Sequence, residues 1–360
     1  MIRAVKGTRD LLPPATAIWN HVEAVAHQVF RVYNYQEIRT PIFEETQLFA
    51  RGIGQETDIV TKEMYTFEDR DGTSLTLRPE ATASVIRAYV EHRLDQRPGL
   101  TKLYYMGPMF RRERPQKGRF RQFYQIGAEA IGSQDPVVDA EVIELAVELL
   151  RRVGLENFQV LLNSVGCPKC RGEYVSELRD RLRQVAPSLC VDCQRRADTN
   201  PLRVLDCKVD ADKFADSPVM LDHLCGDCKD HFMVVEKGLK TLGIPFVVNP
   251  RLVRGLDYYT RTTFELVMGH MGAQNTVAAG GRYDGLVQDI GGPAIPGIGF
   301  ALGVERAVSL MNTGNLRPRT PALYIAALGN EAVGMMLPVV HELRGQGIAV
   351  ETDYAGASLK

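Results

Sequence analysis

Two segments, KLYYMGPMFRRE (102–113) and RQFYQIGAEAIG (121–132), decide the fold of this chain. Both are rich in aromatic and aliphatic side chains, and each predicts a β-strand. The basic sequence between them, RRERPQKGR, predicts the loop that joins the two strands. Because one strand follows another without an intervening helix, the pattern favours an antiparallel sheet over alternating β–α–β units. The sequence therefore predicts an α+β fold.

Helices are predicted before and after this strand pair. Residues 15–35 carry apolar side chains at helical spacing and predict an amphipathic helix. The segment 79–93 predicts a second helix, with Pro79 near its first turn. The segment 139–153 predicts a third helix, with Asp139 as its N-cap. Together these segments predict an antiparallel sheet core that is flanked by helices.

Shorter patterns complete the expected core. SLTLR (74–78) alternates polar and apolar residues, as a half-buried strand does. The segment 35–49 contains Pro41 and predicts extended chain, because a residue before proline avoids the helical region. NPRLVRGLDYYTRTTFELVM (249–268) predicts a pair of strands, and GIGFALGVERAVSL (297–310) predicts a strand that leads into a helix.

Composition limits the class of protein. The chain has 360 residues, of which 45% are hydrophobic and 24% charged, so it contains enough apolar surface to build a core. No apolar run is long enough for a membrane span, and no secretory signal opens the sequence, so we expect a cytoplasmic protein without membrane contact. The 43 basic and 44 acidic residues give a net charge of −1. Any nucleic-acid site must therefore be a local basic patch.

The composition changes between about Ser164 and Leu242, where all seven cysteines lie. We interpret this stretch as a helical insertion. The segment 312–321 predicts a linker, and strand–helix–strand follows it as the start of a C-terminal α/β unit. The expected division lists two parts of one core at 1–163 and 246–315, the insertion at 164–245, and an incomplete α/β unit at 321–360.

Six of the cysteines form three C-x-x-C pairs, an arrangement typical of metal sites in a reducing compartment. The predicted ion is a structural zinc, because four cysteines close the coordination shell of the ion. The residues with the spacing for it are Cys167, Cys170, Cys190 and Cys193. A second ligand set could come from Cys207, Cys225, Cys228 and His231. Which pairs join stays open from the sequence, and reduced thiols without metal are the alternative.

The loop 111–121 concentrates positive charge. It holds six basic residues against the single acid Glu113, which suits a polyphosphate or the end of an RNA. A solvated surface hairpin is the alternative. The sequence contains neither a Walker A motif nor G-x-G-x-x-G. An ATP site must therefore use arginines and a sheet surface.

Three further motifs are weak when taken alone. RGLDYYT (254–260) places Arg254 beside two tyrosines, and GGRYDGL (280–286) lets a ligand approach the backbone closely. GVERAV (303–308) places Arg306 near the start of an apolar helix, where a half-buried guanidinium needs an anionic partner. A tight turn and a structural ion pair are the alternatives for the last two motifs.

Taken together and in order, these motifs resemble the histidyl-tRNA synthetase family of class II aminoacyl-tRNA synthetases. FRRER and GRFRQF resemble motif 2 of that class, the Pro41 segment resembles motif 1, and GIGFALGVER resembles motif 3. RGLDYY and GGRYDGL are similar to the two histidine signature segments. The resemblance runs from KGTRDLLP (6–13) to the final α/β unit. One departure is Ala279, where the family has the first of three glycines.

The resemblance implies a class II catalytic core in segments 1–163 and 246–315, dimeric through the motif 1 region. It also implies an anticodon-binding domain that begins at 321. The implied reaction activates histidine with ATP and Mg²⁺ to histidyl-adenylate, and then transfers the histidyl group to the 3′ end of tRNA(His). Positioning and charge stabilisation should dominate such a reaction.

The resemblance also implies a role for particular side chains. Arg111 and Arg254 are the implied catalytic residues on either side of the α-phosphate, and Arg306 and Glu113 complete the ATP site. Gln116 and Arg119 would lie near the tRNA acceptor end. The implied histidine-binding residues are Glu80, Thr82 and Gln125 at the α-amino group, Glu129 and Tyr259 at the imidazole, and Tyr283 in the pocket wall.

Two other functions compete with a histidine–tRNA ligase. A non-catalytic, synthetase-like regulatory subunit of ATP phosphoribosyltransferase would keep the core fold, but we expect it to lose parts of the RGLDYY site. An RNA-binding module would use only the basic hairpin and would leave Glu80, Glu129 and Tyr259 without a purpose. Because the chain retains Arg111, Arg254 and Arg306, the sequence favours the ligase.

Overall fold

The computed structural model describes residues 2–113, 118–207, 209–214, 216–269, 275–312, 314 and 320–353. The chain divides into two compact units. The first consists of Met1–Leu11 and Trp19–Met311, and the second of Leu12–Ile18 and Asn312–Lys360. Neither unit contains, in its described part, a helix long and apolar enough to cross a bilayer. The division into four segments expected from composition stays a prediction.

The first half of the chain contains both strands and helices. Its elements are α1 (Ala15–Val32), β1 (Gln36–Glu37), β2 (Phe43–Glu45), α2 (Thr46–Ile53), β3 (Tyr65–Glu68), β4 (Ser74–Leu77), α3 (Thr82–Glu91), β5 (Thr101–Phe110), β6 (Gln122–Ile131), α4 (Pro136–Arg152) and β7 (Phe158–Ser164).

The second half begins with helices and returns to the sheet. Its elements are α5 (Pro168–Val185), α6 (Val191–Thr199), α7 (Gly226–Thr241), β8 (Phe246–Val248), β9 (Thr260–Met268), β10 (Thr276–Arg282), α8 (Leu286–Asp289), β11 (Gly297–Gly303), α9 (Val304–Leu310), β12 (Leu323–Ile325), α10 (Asn330–Gly345) and β13 (Val350–Thr352). Single helical turns lie at Ile59–Glu63, Leu94–Gln96, Ala186–Ser188, Pro201–Val204, Ala211–Phe214 and Met220–His223.

An eight-stranded sheet forms the centre of the first unit, in the order β1-β5-β6-β11-β10-β9-β7-β8. Its neighbours pair antiparallel except at the two edges, where β1 joins β5 and β8 joins β7 in parallel. Strands β5 and β6 form the long hairpin expected from the sequence, with Tyr104 opposite Ala128. The predicted α+β class, with a mainly antiparallel sheet flanked by helices, is confirmed.

Helices α1, α4 and α7 contribute buried side chains to one large core that also includes the sheet. The stripe on α1 is formed by Trp19, Val22, Ala26, Val29 and Phe30. The sequence pattern predicted Ile18, Val22, Val25, Val29 and Phe30 for this stripe, and the structure has Trp19 and Ala26 in place of Ile18 and Val25. Burial of these side chains supplies the hydrophobic stabilisation that holds α1 against the core.

Two local expectations differ from the structure. Helix α4 begins at Pro136 and is capped by Asp135, whose side chain accepts a 2.9 Å hydrogen bond from the Val137 backbone. The predicted N-cap, Asp139, instead lies one turn inside the helix and is fully buried. Helix α3 begins only at Thr82, because the Pro79 carbonyl is turned toward Arg111 and accepts its Nε–H at 2.8 Å.

The expected strands around the motifs are also shorter than the patterns suggest. Of 249–268, only Thr260–Met268 forms a strand in the described structure, and the residues before it make turns and irregular chain. Of 35–49, the last residues belong to helix α2. The glycines and prolines in these segments favour turns over long strands.

The cysteine-bearing stretch builds a small core of its own. Helices α5 and α6 and the turns that follow α6 bury a cluster that contains Tyr174, Leu178, Val204 and Phe214. Three cysteines are fully part of that cluster, namely Cys170, Cys193 and Cys228. The second unit is smaller. In it β12 and β13 pair in parallel and α10 covers them with Met336 and Val340, in the predicted strand–helix–strand order.

Candidate active site

A cleft lies against the central sheet of the first unit and encloses about 970 Å³, including its open mouth. Strands β5, β6, β10 and β11 and the segment before α3 all contribute residues to its walls. The cleft brings together all of the described residues that the sequence singled out for catalysis or for substrates: Glu80, Thr82, Arg111, Glu113, Arg119, Gln125, Glu129, Arg254, Tyr259, Tyr283 and Arg306. Gln116 lies outside the described residues.

Glu129 lies at the bottom of the cleft, on β6, with 1% of its surface exposed. The Tyr283 hydroxyl donates a 2.6 Å hydrogen bond to one carboxylate oxygen, and the Thr82 hydroxyl donates a 2.7 Å bond to the other. Burial raises the pKa of Glu129 to about 8, even though these hydrogen bonds favour the ionised form. The carboxyl can therefore gain or lose a proton near neutral pH.

Glu80 and Gln125 line the same end of the cleft. The Glu80 carboxylate accepts backbone hydrogen bonds from Thr82 at 2.8 Å and Ala83 at 2.9 Å, and so closes the N-terminus of α3. Burial raises its pKa, although those bonds oppose the shift. The side-chain oxygen of Gln125 is buried and has no hydrogen-bond partner within the described part of the chain. An unpaired buried acceptor beside a carboxylate suits a cationic ligand group.

Three tyrosines, two of them from the RGLDYY segment, pack together beside these acids. The ring of Tyr258 lies 4.8 Å from that of Tyr259 and 5.9 Å from that of Tyr283, measured between centroids. Gly281 permits this packing, because a Cβ there would lie 2.8 Å from the Tyr259 ring and 2.6 Å from the Thr262 carbonyl oxygen. Glycine is thus required at position 281, because the Tyr259 ring and the Thr262 carbonyl approach this backbone closely.

Three arginines from distant parts of the chain face the rest of the cleft. Arg111 donates to the Pro79 carbonyl, and its guanidinium lies 5.3 Å from the centroid of the Phe123 ring. Arg306, in the first turn of α9, donates to the Thr276 carbonyl at 2.7 Å. Arg254 pairs with Glu265, and its Nε is buried with no hydrogen-bond partner among the described residues.

The arginines repel one another across the cleft. Burial lowers the pKa of Arg306, and the charges of Arg119, Arg111 and Arg254 lower it further, while Glu113 acts in the opposite direction. Arg119 also pairs with Glu113 at 2.9 Å. Because the four guanidiniums outnumber the two carboxylates that pair with them, Glu113 and Glu265, this end of the cleft favours a polyanion.

Comparison with known proteins identifies a family whose model covers these motifs. The model of the family described as "Histidyl-tRNA synthetase" matches residues 7–170 and 179–307. The chain belongs to the histidyl-tRNA synthetase family. The predicted resemblance is thereby confirmed for most of the chain.

Similar members of the histidyl-tRNA synthetase family span nearly the whole chain. A protein of Solibacter usitatus named "Histidine--tRNA ligase" is 63% identical over 98% of this chain and 85% of its own length. A protein of the same name from Geobacter metallireducens is 54% identical over 100% of this chain and 87% of its own. The apo histidyl-tRNA synthetase of S. aureus is 38% identical, with a TM-score of 0.83 over 100% of this chain and 87% of the solved chain.

Sequence reasoning missed the partners of Arg254 in this histidyl-tRNA synthetase family member. Glu265, on β9, pairs with the guanidinium, and the Thr276 hydroxyl donates to its second oxygen at 2.8 Å. The signal was present in the sequence, because Glu265 is a lone acid in the otherwise apolar run FELVM. A charge in such a strand needs a partner.

The structure groups the cysteines differently from the tentative zinc set. Cys167 and Cys170 lie with Cys225 and Cys228, while Cys190 and Cys193 lie with Cys207 and Asp210. His231, which the sequence offered as a ligand, is instead buried against Asp139, with its Nε2 2.7 Å from the carboxylate. The spacing along the chain did not reveal this grouping, because turns after α6 bring Cys207 and Asp210 back to the second pair.

Proposed function

We propose that this chain is a histidine–tRNA ligase that activates histidine with ATP and transfers the histidyl group to the 3′ end of tRNA(His). The observation that carries the proposal is the single cleft in which arginines from three distant segments meet a buried group of acids and phenols. Relatives named "Histidine--tRNA ligase" that are 54–63% identical over nearly the whole chain support it.

In the first step, a carboxylate oxygen of histidine attacks the α-phosphorus of ATP. The bond to the bridging oxygen breaks, pyrophosphate leaves, and histidyl-adenylate forms. No group of the protein needs to form a covalent bond, so positioning and charge stabilisation carry the catalysis. Arg111 and Arg254 approach the α-phosphate from its two sides, and Arg306 binds the γ-phosphate end. Their planar, permanently charged guanidiniums suit phosphate oxygens.

The acidic end of the cleft binds the amino acid. Glu80, Thr82 and the unpaired Gln125 oxygen receive the α-ammonium group. Glu129 and Tyr259 bind the two ring nitrogens of the imidazole, with Tyr283 holding Glu129 in place. An amino acid without these ring nitrogens would leave buried polar groups unpaired, and this cost provides the selectivity.

The carboxylates at the arginine end fit Mg²⁺ as the ion that accompanies ATP. Glu113 and Glu305 line the same cleft as Arg306 and offer hard oxygen ligands. The ion would neutralise charge on the phosphates. We also propose that the cysteine-bearing insertion holds zinc in a structural role. Arg119 and Gln116, from the motif 2 loop, would lie near the tRNA acceptor end.

The motif 1 region forms the interface of a homodimer in this proposal. Strands β2, β4 and β3 make a separate small sheet, with Phe43 opposite Leu77 and Phe67 opposite Leu75. Apart from Glu45, the face that carries Phe43, Leu75, Leu77 and Phe67 is apolar, yet Phe43 and Phe67 are 52% and 45% exposed. Large apolar surfaces exposed to water in a single chain are typical of protein–protein interfaces. This face therefore supports the proposal that a second copy of the chain binds there.

Histidine-dependent exchange of pyrophosphate into ATP tests the activation step. We expect the wild-type protein to catalyse the exchange, and Arg254→Ala to reduce its rate by about a hundredfold or more, since a charge placed at the transition state is lost. The regulatory-subunit alternative predicts no exchange in the wild-type protein.

Arg152→Ala is the matched control, because Arg152 is an exposed residue at the end of α4 whose guanidinium pairs with Glu148. We expect this variant to exchange pyrophosphate at the wild-type rate. Equal activity of Arg254→Ala and Arg152→Ala would contradict the role proposed for Arg254.

A further inference from the structure

The insertion contains two groups of metal-type ligands that are separate in space and in composition. The first consists of four cysteines and the second of three cysteines with one aspartate. In each group the ligand atoms all lie within 4.8 Å of one another. All seven cysteines are within the described chain, and none of them forms a disulfide there.

The first group has the dimensions of a tetrahedral thiolate site. The Sγ atoms of Cys167 and Cys170 are 3.7 Å apart, those of Cys167 and Cys225 are 3.8 Å apart, and those of Cys170 and Cys228 are 3.9 Å apart. A tetrahedron with zinc–sulfur bonds of ~2.3 Å has edges of about 3.8 Å. A disulfide would need the sulfurs at about 2.05 Å. The spacing therefore fits a metal ion at the centre of four sulfurs.

Local structure explains why these four sulfurs converge. Each pair straddles the start of a helix, with Cys167 preceding α5 and Cys225 preceding α7. Gly166 has a φ of +66°, and a Cβ there would lie 2.9 Å from the Cys170 sulfur. The backbone thus turns tightly around the sulfur, as a loop that wraps a metal centre must.

The second group has the same spacing but a different donor set. The Sγ of Cys190 is 3.8 Å from that of Cys207, which is 3.8 Å from the Oδ2 atom of Asp210. Cys193 completes the group and is fully buried, as is Asp210. The Asp210 carboxylate also accepts a 2.9 Å hydrogen bond from the Cys190 backbone and pairs with Lys213 at 2.8 Å. These contacts orient the carboxylate toward the three sulfurs.

A cation lies beside each group. Arg171 follows Cys170 directly, and its charge interacts with the thiols of Cys167, Cys170 and Cys228. Lys213 stands beside Asp210. A divalent ion with four thiolates, or with three thiolates and a carboxylate, carries a net charge of −2. A neighbouring cation offsets part of that charge.

We propose that the insertion holds two zinc ions, one bound by Cys167, Cys170, Cys225 and Cys228 and the other by Cys190, Cys193, Cys207 and Asp210. Zinc suits both sets because it accepts thiolate and carboxylate ligands in tetrahedral geometry. Both sites are closed by four protein ligands and therefore serve structure. The first fastens the start of α5 to the start of α7, and the second fastens α6 to the turns that follow it.

Zinc content of the full chain tests this proposal without reference to its activity. The protein is expressed with zinc in the medium, desalted, and analysed by plasma mass spectrometry. We expect two zinc ions per chain, one in the double variant Cys225→Ser/Cys228→Ser, and one in Cys190→Ser/Cys207→Ser. Asp216→Asn, a change at an exposed aspartate of the same segment, should retain both.

A second measurement on the wild-type protein covers the case in which a variant does not fold. Zinc is replaced by Co²⁺, whose absorption bands differ between four sulfur ligands and three sulfurs with one oxygen. We expect two binding steps with two different spectra. One ion or none per chain in the zinc-supplied wild-type protein, or two identical Co²⁺ spectra, would overturn the proposal.

Discussion

Glu129 is the residue whose ionisation the cleft controls most directly. Its carboxyl is buried, accepts hydrogen bonds from Tyr283 and Thr82, and has a pKa of about 8 against an ordinary value of 4.5. Because the folded-state pKa lies above that of the unfolded chain, folding favours the protonated acid. This contribution to stability is fully present below the unfolded pKa and is lost as the pH rises through the folded pKa.

We therefore predict that the free energy of unfolding of the wild-type protein falls, relative to that of Glu129→Gln, as the pH rises from 4.5 to about 8. Glutamine retains the shape of the acid but does not ionise. The slope of the difference should not exceed about 1.4 kcal/mol per pH unit, which is the value for one proton. Urea unfolding of both proteins without ligands measures it. Two curves that run parallel across this range would show that Glu129 does not titrate there.

Arg171 is a positioning residue that joins the insertion to the cleft. Its guanidinium donates to the backbone carbonyls of Val165 at 3.1 Å, Gly166 at 3.2 Å and Tyr259 at 2.6 Å. One side chain thus holds the loop before α5 against the residue proposed to bind the imidazole. A change at Arg171 should move Tyr259 without touching the arginines of the phosphate end.

We predict that Arg171→Met raises KM for histidine by about tenfold in pyrophosphate exchange, the equivalent of one charge-assisted hydrogen bond. KM for ATP should stay near the wild-type value. Arg183→Met is the control, since Arg183 lies on the same helix and is largely exposed. A general loss of structure would raise both KM values together, and an unchanged KM for histidine would refute the positioning role.

At the scale of whole elements, Asp139 joins three parts of the core. It lies on α4, accepts hydrogen bonds from Arg282 at the end of β10, with Nε at 3.1 Å, and contacts His231 on α7 at 2.7 Å. Burial alone would raise its pKa, but the hydrogen bond to His231 and the charge of Arg282 outweigh burial and lower it. The Arg282 and Asp139 side chains are both fully buried.

We predict that Asp139→Asn lowers the free energy of unfolding by about 3–5 kcal/mol, because the buried Arg282 guanidinium then keeps only the partly exposed Asp284, 3.1 Å away, as an anionic partner. Glu148→Gln, on the same helix, removes a partly exposed pair with Arg152 and should cost less than about 1 kcal/mol. Urea unfolding at neutral pH compares the two variants. Equal losses of stability would argue against a special role for the buried pair.

The same elements show how far sequence reasoning extends. Strands β5 and β6 were predictable because aromatic and aliphatic residues mark both strands and the basic loop separates them. Asp139 was misinterpreted as a helix cap because its partner Arg282 lies 143 residues away. The cysteine pairs follow the same rule, since Cys167 meets Cys225 across 58 residues. The cleft residues were predictable because they lie within recognisable motifs. Glu265 lies in no such motif, and the only signal for it was its position as a single acid in an apolar strand.

For the whole molecule, the open apolar face of the small β2-β4-β3 sheet carries a prediction about assembly. We expect Phe67→Glu to shift the proposed homodimer toward monomers, because the new charge lies on the proposed interface. Sedimentation velocity at several protein concentrations measures the shift. Val247→Glu is the control, since Val247 is 45% exposed, as Phe67 is, but lies on β8, an edge strand of the eight-stranded sheet and not part of the proposed interface.

A wild-type protein that sediments as a monomer at all concentrations would contradict the dimer. Dissociation by Phe67→Glu and Val247→Glu to the same extent would place the interface elsewhere.

The position of β11 has a consequence for biosynthesis. This strand, Gly297–Gly303, pairs with β6 on one side and β10 on the other, although more than 160 residues separate it from β6. A nascent chain on the ribosome therefore exposes the inner edge of β6 until nearly the whole first unit has been translated. Unpaired strand edges invite aggregation. Ribosome-associated chaperones should thus remain bound to this chain late in translation. A nascent chain on a ribosome stalled before Gly297 should be cut readily by proteases.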